Sequence, residues 1–302
     1  MIVRVLGSAA GGGFPQLNCN CRNCRGVREG MAGLRPRTQT CVAVSRDGSA
    51  WTLLGASPDL RHQVAATSDL HPVPEKARRS SPIEAVVLTD GEVDAVAGLL
   101  SLREGFVFDL FAPRNVLDML AANNIFDVLA PEVVRRLPLA ENQTSRTSSG
   151  LEIEPFNVAG KITLYAEKHS KNLVSRDGTI GVRVSDPATG ASFFHIPACA
   201  EVGQDLSARL RGARLLLFDG TLYDDGEMIT QGLSEKSGRR MGHMSMSGPQ
   251  GSIAALADLG IQRLVFVHIN NSNPVLNEAS AERLNVERAG WEVAFDGMEM
   301  RL

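Results

Sequence analysis

The chain has 302 residues, 43% of them hydrophobic. That is enough to bury about three quarters of its extended surface without covalent staples. A formal net charge of -3 and a pI near 6.1 provide no basic field for nucleic acid or an anionic membrane surface. No segment reaches about 18 uninterrupted apolar residues, and the apolar run at residues 1–7 is too short for a signal sequence, so the expected protein is cytoplasmic, makes no membrane insertion and handles a small-molecule or short-peptide-derived substrate.

In chain order, β-branched runs bounded by Gly, Ser, Asp or Pro predict strands at 2–6, 40–44, 51–54 and 85–88. Apolar spacing predicts helices over 94–102 and, after a proline, over 114–120. The polar stretch 140–150 reads as a linker, after which strands are expected at 151–155, 161–166, 179–184 and 191–196. A helix over 201–210 precedes the apolar run 214–218, a strand is expected at 263–267, and the last helices fit 251–259 and 278–289. The order of strands and helices implies a layered α/β fold, with two similar halves meeting near 140–150. Residues 219–247, rich in Gly, Ser, Asp and Met, form a long irregular stretch of the kind that usually carries function.

Between the first strand and the second lies a glycine-rich turn followed by Cys19, Cys21 and Cys24. Thiols this close together cannot staple distant parts of a fold, but turns at this spacing can point three thiolates at one tetrahedral ion. A structural zinc is therefore expected there. Five cysteines in all, three of them clustered, fit a reducing compartment better than a disulfide framework.

The run after the strand at 85–88 is Thr89-Asp90-Gly91-Glu92-Val93-Asp94, leading into an apolar helix. Helix capping explains one or two acids at such a turn. Three carboxylates at alternate positions repel one another unless a cation sits among them, so a divalent metal is expected. His268, where an apolar strand runs into a polar loop, reads as a further ligand, while His169 lies among lysines and carries no signal of its own.

The order strand, Thr, acid-x-acid-x-Asp, helix resembles the His-x-His-x-Asp-His signature of the metallo-β-lactamase superfamily. Together with residues 6–24, 218–225, 242–245 and 268–276, the run 88–100 resembles the branch of that superfamily that serves pyrroloquinoline quinone (PQQ) biosynthesis. The likeness extends over nearly the whole chain. It implies a four-layer αββα sandwich forming a single domain over 1–302. Carried over residue by residue, it implies that Asp94 is the retained aspartate, that Asp90 and Glu92 replace histidines, and that Ala95 replaces the last one. His169 and His268 would match the third-motif and final histidines, so that Asp90, Glu92, Asp94, His169 and His268 make the catalytic-metal set. Asp219 and His243 would be a catalytic proton-transfer pair.

No acid occurs at 194–199, where the superfamily's bridging aspartate is expected. One metal is then expected rather than two, and an oxygen-rich mixed set suits Fe2+ as well as zinc. The resemblance implies hydroxylation of the tyrosine ring of a Glu-Tyr-derived precursor, with other PQQ biosynthesis proteins as partners. A carrier for PQQ or its precursor towards the periplasm and a zinc-dependent hydrolase are the alternatives. In related phosphodiesterases a histidine three positions beyond the final one completes the thiol site. That position is Asn271 here, so the fourth donor is open among Asn271, Cys41, Cys199 and water.

Overall fold

A computed structural model describes residues 1–73, 77–160 and 179–302. The first sheet holds β1 (Ile2–Gly7), β2 (Cys41–Ser45), β3 (Trp51–Leu54), β4 (Ile83–Val87), β5 (Phe108–Pro113), β6 (Val134–Leu139) and, at its other edge, β14 (Glu299–Arg301), in the order β14-β1-β2-β3-β4-β5-β6. The second holds β7 (Ser145–Arg146), β8 (Glu152–Asn157), β9 (Ile180–Asp186), β10 (Ala191–Ile196), β11 (Leu216–Asp219), β12 (Leu264–Val267) and β13 (Trp291–Val293), in the order β13-β12-β11-β10-β9-β8-β7. Each sheet has an antiparallel part and a parallel part. The parallel pairs are β3-β4, β4-β5 and β5-β6 in one and β10-β11, β11-β12 and β12-β13 in the other.

Strand alternation creates the layers. Ala85 and Val87 face the same central core as Leu215, Leu217, Val265 and Val267 of the other sheet. Val86 and Leu110 face outward onto α2 (Leu60–Ala65) and α4 (Arg114–Ala121), through Leu60, Val116 and Leu120. Phe194, Leu216, Phe218 and Phe266 face outward on the other side onto α5 (Gln204–Leu210), α7 (Ser252–Leu256) and α8 (Ala281–Arg288). The result is the αββα sandwich of the metallo-β-lactamase fold. The chain changes sheets between Leu139 and Ser145, inside the polar stretch 140–150.

Two expected helices are partly something else. Over 94–102 only α3 (Val93–Val96) is α-helical, and residues 97–102 wind as a 3-10 helix. Residues 257–259 do the same after α7. In the first case the turn packs backbone against backbone at Gly98, where a Cβ would lie 2.1 Å from the Ser57 carbonyl oxygen, so only glycine fits. The strand expected at 161–166 lies outside the described residues.

Candidate functional site

The site grows from strand ends. Chain segments leaving β4, β10, β11 and β12 converge where the two sheets part, at the carboxyl ends of parallel strands, and line a cavity of about 320 Å3. Such ends are where open α/β sheets place their ligands. The turn after β4 contributes Asp90, Glu92 and Asp94; β11 ends on Asp219, and His268 follows β12 directly.

Asp94 Oδ2 lies 3.0 Å from His268 Nε2. Burial opposes the charged form of each, but the contact outweighs it, so the Asp94 carboxyl sits below its usual range and the His268 imidazolium is favoured. Asp90 goes the other way: burial and then the neighbouring Asp94 charge raise it. Asp90 Oδ1 accepts from the Glu92 backbone N–H at 2.9 Å, and its Oδ2 accepts from the Thr89 hydroxyl at 3.0 Å. The helix-capping alternative fails in detail. The N-cap position of α3 is Glu92, and its side chain makes no capping bond. Gly11, from the glycine-rich turn, closes on this side. A Cβ there would lie 3.3 Å from Asp94 Oδ2, so a side chain would crowd the carboxylate.

Asp219 is fully buried with both oxygens engaged. Oδ1 accepts from the Thr221 backbone at 3.0 Å and its hydroxyl at 2.7 Å; Oδ2 accepts from the Cys199 backbone at 2.9 Å and meets His243 Nδ1 at 2.7 Å. Asp219 thus orients His243, fixing its Nδ1 inward and leaving Nε2 as its second ring nitrogen. The His243 and His268 rings stack with centroids 5.3 Å apart. Between them Thr221 Oγ1 lies 3.1 Å from His243 Nδ1 and 2.9 Å from His268 Nδ1. Donor atoms of Asp219, His243 and His268 all fall within 4.8 Å of one another. Asp219, however, has both oxygens taken by hydrogen bonds, and of the three it is His268 whose Nε2 meets the Asp94 carboxylate in the cavity. His268 has φ 57°, a left-handed backbone that costs a non-glycine residue on the order of 1 kcal/mol. The Ile269 N–H bond to Ser8 O at 2.9 Å holds it there, and Thr221 Oγ1, whose proton goes to Asp219, lies 3.0 Å from the His268 carbonyl.

The thiols form a separate cluster. Cys21 is the N-cap of α1 (Arg22–Arg28), and the cluster packs in the outer core of the second sheet although it follows a strand of the first. The three sulfurs lie within 4.8 Å of one another, compatible with a tetrahedral zinc site, whose sulfurs stand about 3.8 Å apart. Asn271 caps them, with Nδ2 at 3.1 Å from Cys19, 3.7 Å from Cys21 and 3.3 Å from Cys24. A half-turn of that amide presents Oδ1 instead. Burial pushes the Cys24 thiol up to about 11. For Cys21 burial is outweighed by the Cys24 N–H and the Cys19 thiol, and its pKa falls. The other two cysteines are not candidates for a fourth donor: Cys41 belongs to the opposite helical layer and contacts the Gly55 carbonyl at 3.2 Å, while Cys199 contacts the Glu201 carbonyl at 3.2 Å.

Comparison with known proteins decides the family. Residues 50–269 match the beta-lactamase superfamily domain. Over 310 aligned residues, covering all of both chains, the sequence is 53% identical to the coenzyme PQQ synthesis protein B of Rhodopseudomonas palustris strain BisB5. The chain belongs to the coenzyme PQQ synthesis protein B family. Within that family, the crystal structure of Zn2+-bound PqqB from Methylobacterium extorquens superposes with a TM-score of 0.95 at 49% identity, each chain fully covered. A diphosphatase of the PhnP family shares the fold beyond it, with a TM-score of 0.66 at 18% identity, covering 100% of this chain and 97% of the other.

Of the residues singled out in sequence, Asp90, Glu92, Asp94, His243 and His268 line one cavity, Asp219 stands directly behind His243, and the three cysteines form a second cluster. His169 lies outside the described residues. Two residues of the site went unread. Thr221 had a legible signal, an Asp-Gly-Thr turn closing an apolar strand, which is the setting of an Asx-turn. His195, also in the cavity wall, had none, because a histidine inside an apolar strand looks like core.

Proposed function

We propose that this chain is a metal-dependent enzyme of PQQ synthesis that hydroxylates the tyrosine ring of a Glu-Tyr-derived precursor. The observation that carries the reading is the Asp94 carboxylate meeting His268 Nε2 at 3.0 Å in the wall of a cavity that Asp90 and Glu92 also line. Asp90, Glu92, Asp94 and His268, with His169, would hold Fe2+, and the metal would supply activation of dioxygen. The balance of the reaction is one oxygen atom into an aromatic C–H, the other leaving as water with two electrons from an external reductant. Segment 194–199 offers the cavity only His195, Pro197 and Ala198, which fits one metal better than a bridged pair.

The chain's own groups have distinct tasks. Asp219 fixes His243 so that its Nε2 can take or return a proton at the substrate. Thr221 locks the two imidazoles relative to each other, and Gly11 keeps the Asp94 carboxylate uncrowded. Cys19, Cys21 and Cys24, with Asn271, would hold a structural zinc, in line with the zinc named for the Methylobacterium extorquens protein. A zinc hydrolase is the second reading, favoured by the carboxylate-imidazole pair of Asp219 and His243 at 2.7 Å. Anaerobic loading with Fe2+, then air, reductant and the precursor, followed by mass spectrometry, separates them. An added oxygen atom drawn from labelled dioxygen is the expected result; turnover by zinc-only protein without oxygen overturns it.

A further inference from the structure

His195 is the polar exception in an otherwise apolar layer. Along β10 the residues on its face are Ala191 and Phe193, both packed in the core between the sheets. Two positions on, the same face reaches the point where the sheets part, and His195 stands in the cavity wall. Only 2% of it is exposed. Among the described residues neither ring nitrogen has a hydrogen-bond partner, and Nδ1 is sealed from solvent. A buried polar group left unpaired costs on the order of 1 to 3 kcal/mol. Phe193, two residues earlier, is evidence that this face accepts an aromatic hydrocarbon. The fold therefore gives no reason for an imidazole here, and its nitrogens lie outside the cluster of donor atoms of Asp219, His243 and His268.

Burial and then the nearby His268 charge keep this ring neutral, with one donor and one acceptor. With the proton on Nε2, the sealed Nδ1 is a bare lone pair and the donor is left for the cavity. Ala10, Leu54, Pro197, Ala198 and Met228 supply apolar surface around it, suited to an aromatic face. We infer that His195 donates a hydrogen bond to the phenolic oxygen of the bound substrate and so fixes which ring carbons face the carboxylates. The choice of a phenol rests on the tyrosine-ring reading above.

Phenol and toluene are the probes, since their binding needs neither dioxygen nor turnover. In zinc-loaded protein with 15N-labelled histidine, the ring N–H signal missing from His195→Gln identifies His195. Phenol should move that signal and toluene should not. Wild type should bind phenol about 3- to 10-fold tighter than toluene, a ratio that His195→Phe reduces to near 1 with metal content unchanged. An unmoved signal, an undiminished ratio in His195→Phe, or metal lost from that variant overturns the inference. Phenol contact without oxygen incorporation would leave the inference standing and remove the hydroxylase reading; incorporation with no phenol contact would do the reverse.

Discussion

The thiol cluster and the carboxylate-imidazole cluster are built by opposite strategies. Cys19, Cys21 and Cys24 come from six consecutive residues, and Asn271 and Asn23, the latter donating to the Asn271 and Asn273 carbonyls at 3.1 and 2.9 Å, tie them to the distant loop. The other site takes one element from each of several strand ends in two sheets. Local spacing suffices for the first. The second exists only once both sheets and the central core have formed, so its geometry is a product of the whole fold. Stability should accordingly be concentrated at the thiols and activity at the strand ends.

The largest test of that division is His268→Ala, with Asp94→Asn beside it. Each should lower oxygen incorporation by about 1000-fold or more and empty the metal from this site, while zinc at the thiols, measured by elemental analysis, stays at wild-type stoichiometry. Loss of both metals together would mean that the two regions are one cooperative unit. Cys24→Ser is the mirror experiment. It should remove one zinc and cost about 3 to 5 kcal/mol, seen as a melting temperature lower by roughly 10 °C, because structural zinc binding is folding free energy. An unchanged melting curve would break the comparison on the thiol side.

How much of this was legible follows the same divide. The cysteines and the acidic turn announce themselves because their side chains are neighbours in sequence. The strands β1 to β4 and β8 to β12 are short, mostly apolar runs and read accordingly, but β5, β6, β7, β13 and β14 did not. Asp109 interrupts the apolar run of β5, and only the structure pairs it with Arg135 of β6 at 2.6 Å, removing the cost of a nearly buried carboxylate. In β6, Arg135, Arg136 and Pro138 mask the alternation, as is usual at a sheet edge. Thr221 and His195 matter for what they face, and facing is set by topology that no window of sequence contains.

Two smaller effects sharpen the picture. Thr221→Val keeps the volume but removes the hydroxyl shared by Asp219, His243 and His268. Turnover should fall about 10- to 100-fold with most of the metal retained, and the pH profile should shift because His243 loses a fixed partner. Near the loop that joins the two sites, burial raises Glu227 to about 7, while it accepts from the Ser272 hydroxyl at 2.6 Å. An acid whose folded pKa is raised binds more protons folded than unfolded, so it weakens stability as pH climbs from about 4.5 through 7. Glu227→Gln should flatten that part of the profile, gaining stability relative to wild type above pH 7 in chemical denaturation at several pH values.

Asn271 gives the thiol cluster a meaning in time. The sulfurs emerge early in synthesis, whereas the side chain that caps them lies 247 residues beyond Cys24 and three beyond His268. A growing chain can offer three sulfurs to an ion long before it can close the coordination sphere. The loop that carries Asn271 is the one in which His268 takes its left-handed turn. One loop thus serves both clusters, Asn271 over the sulfurs and His268 at the strand ends, so a change in that loop reaches both.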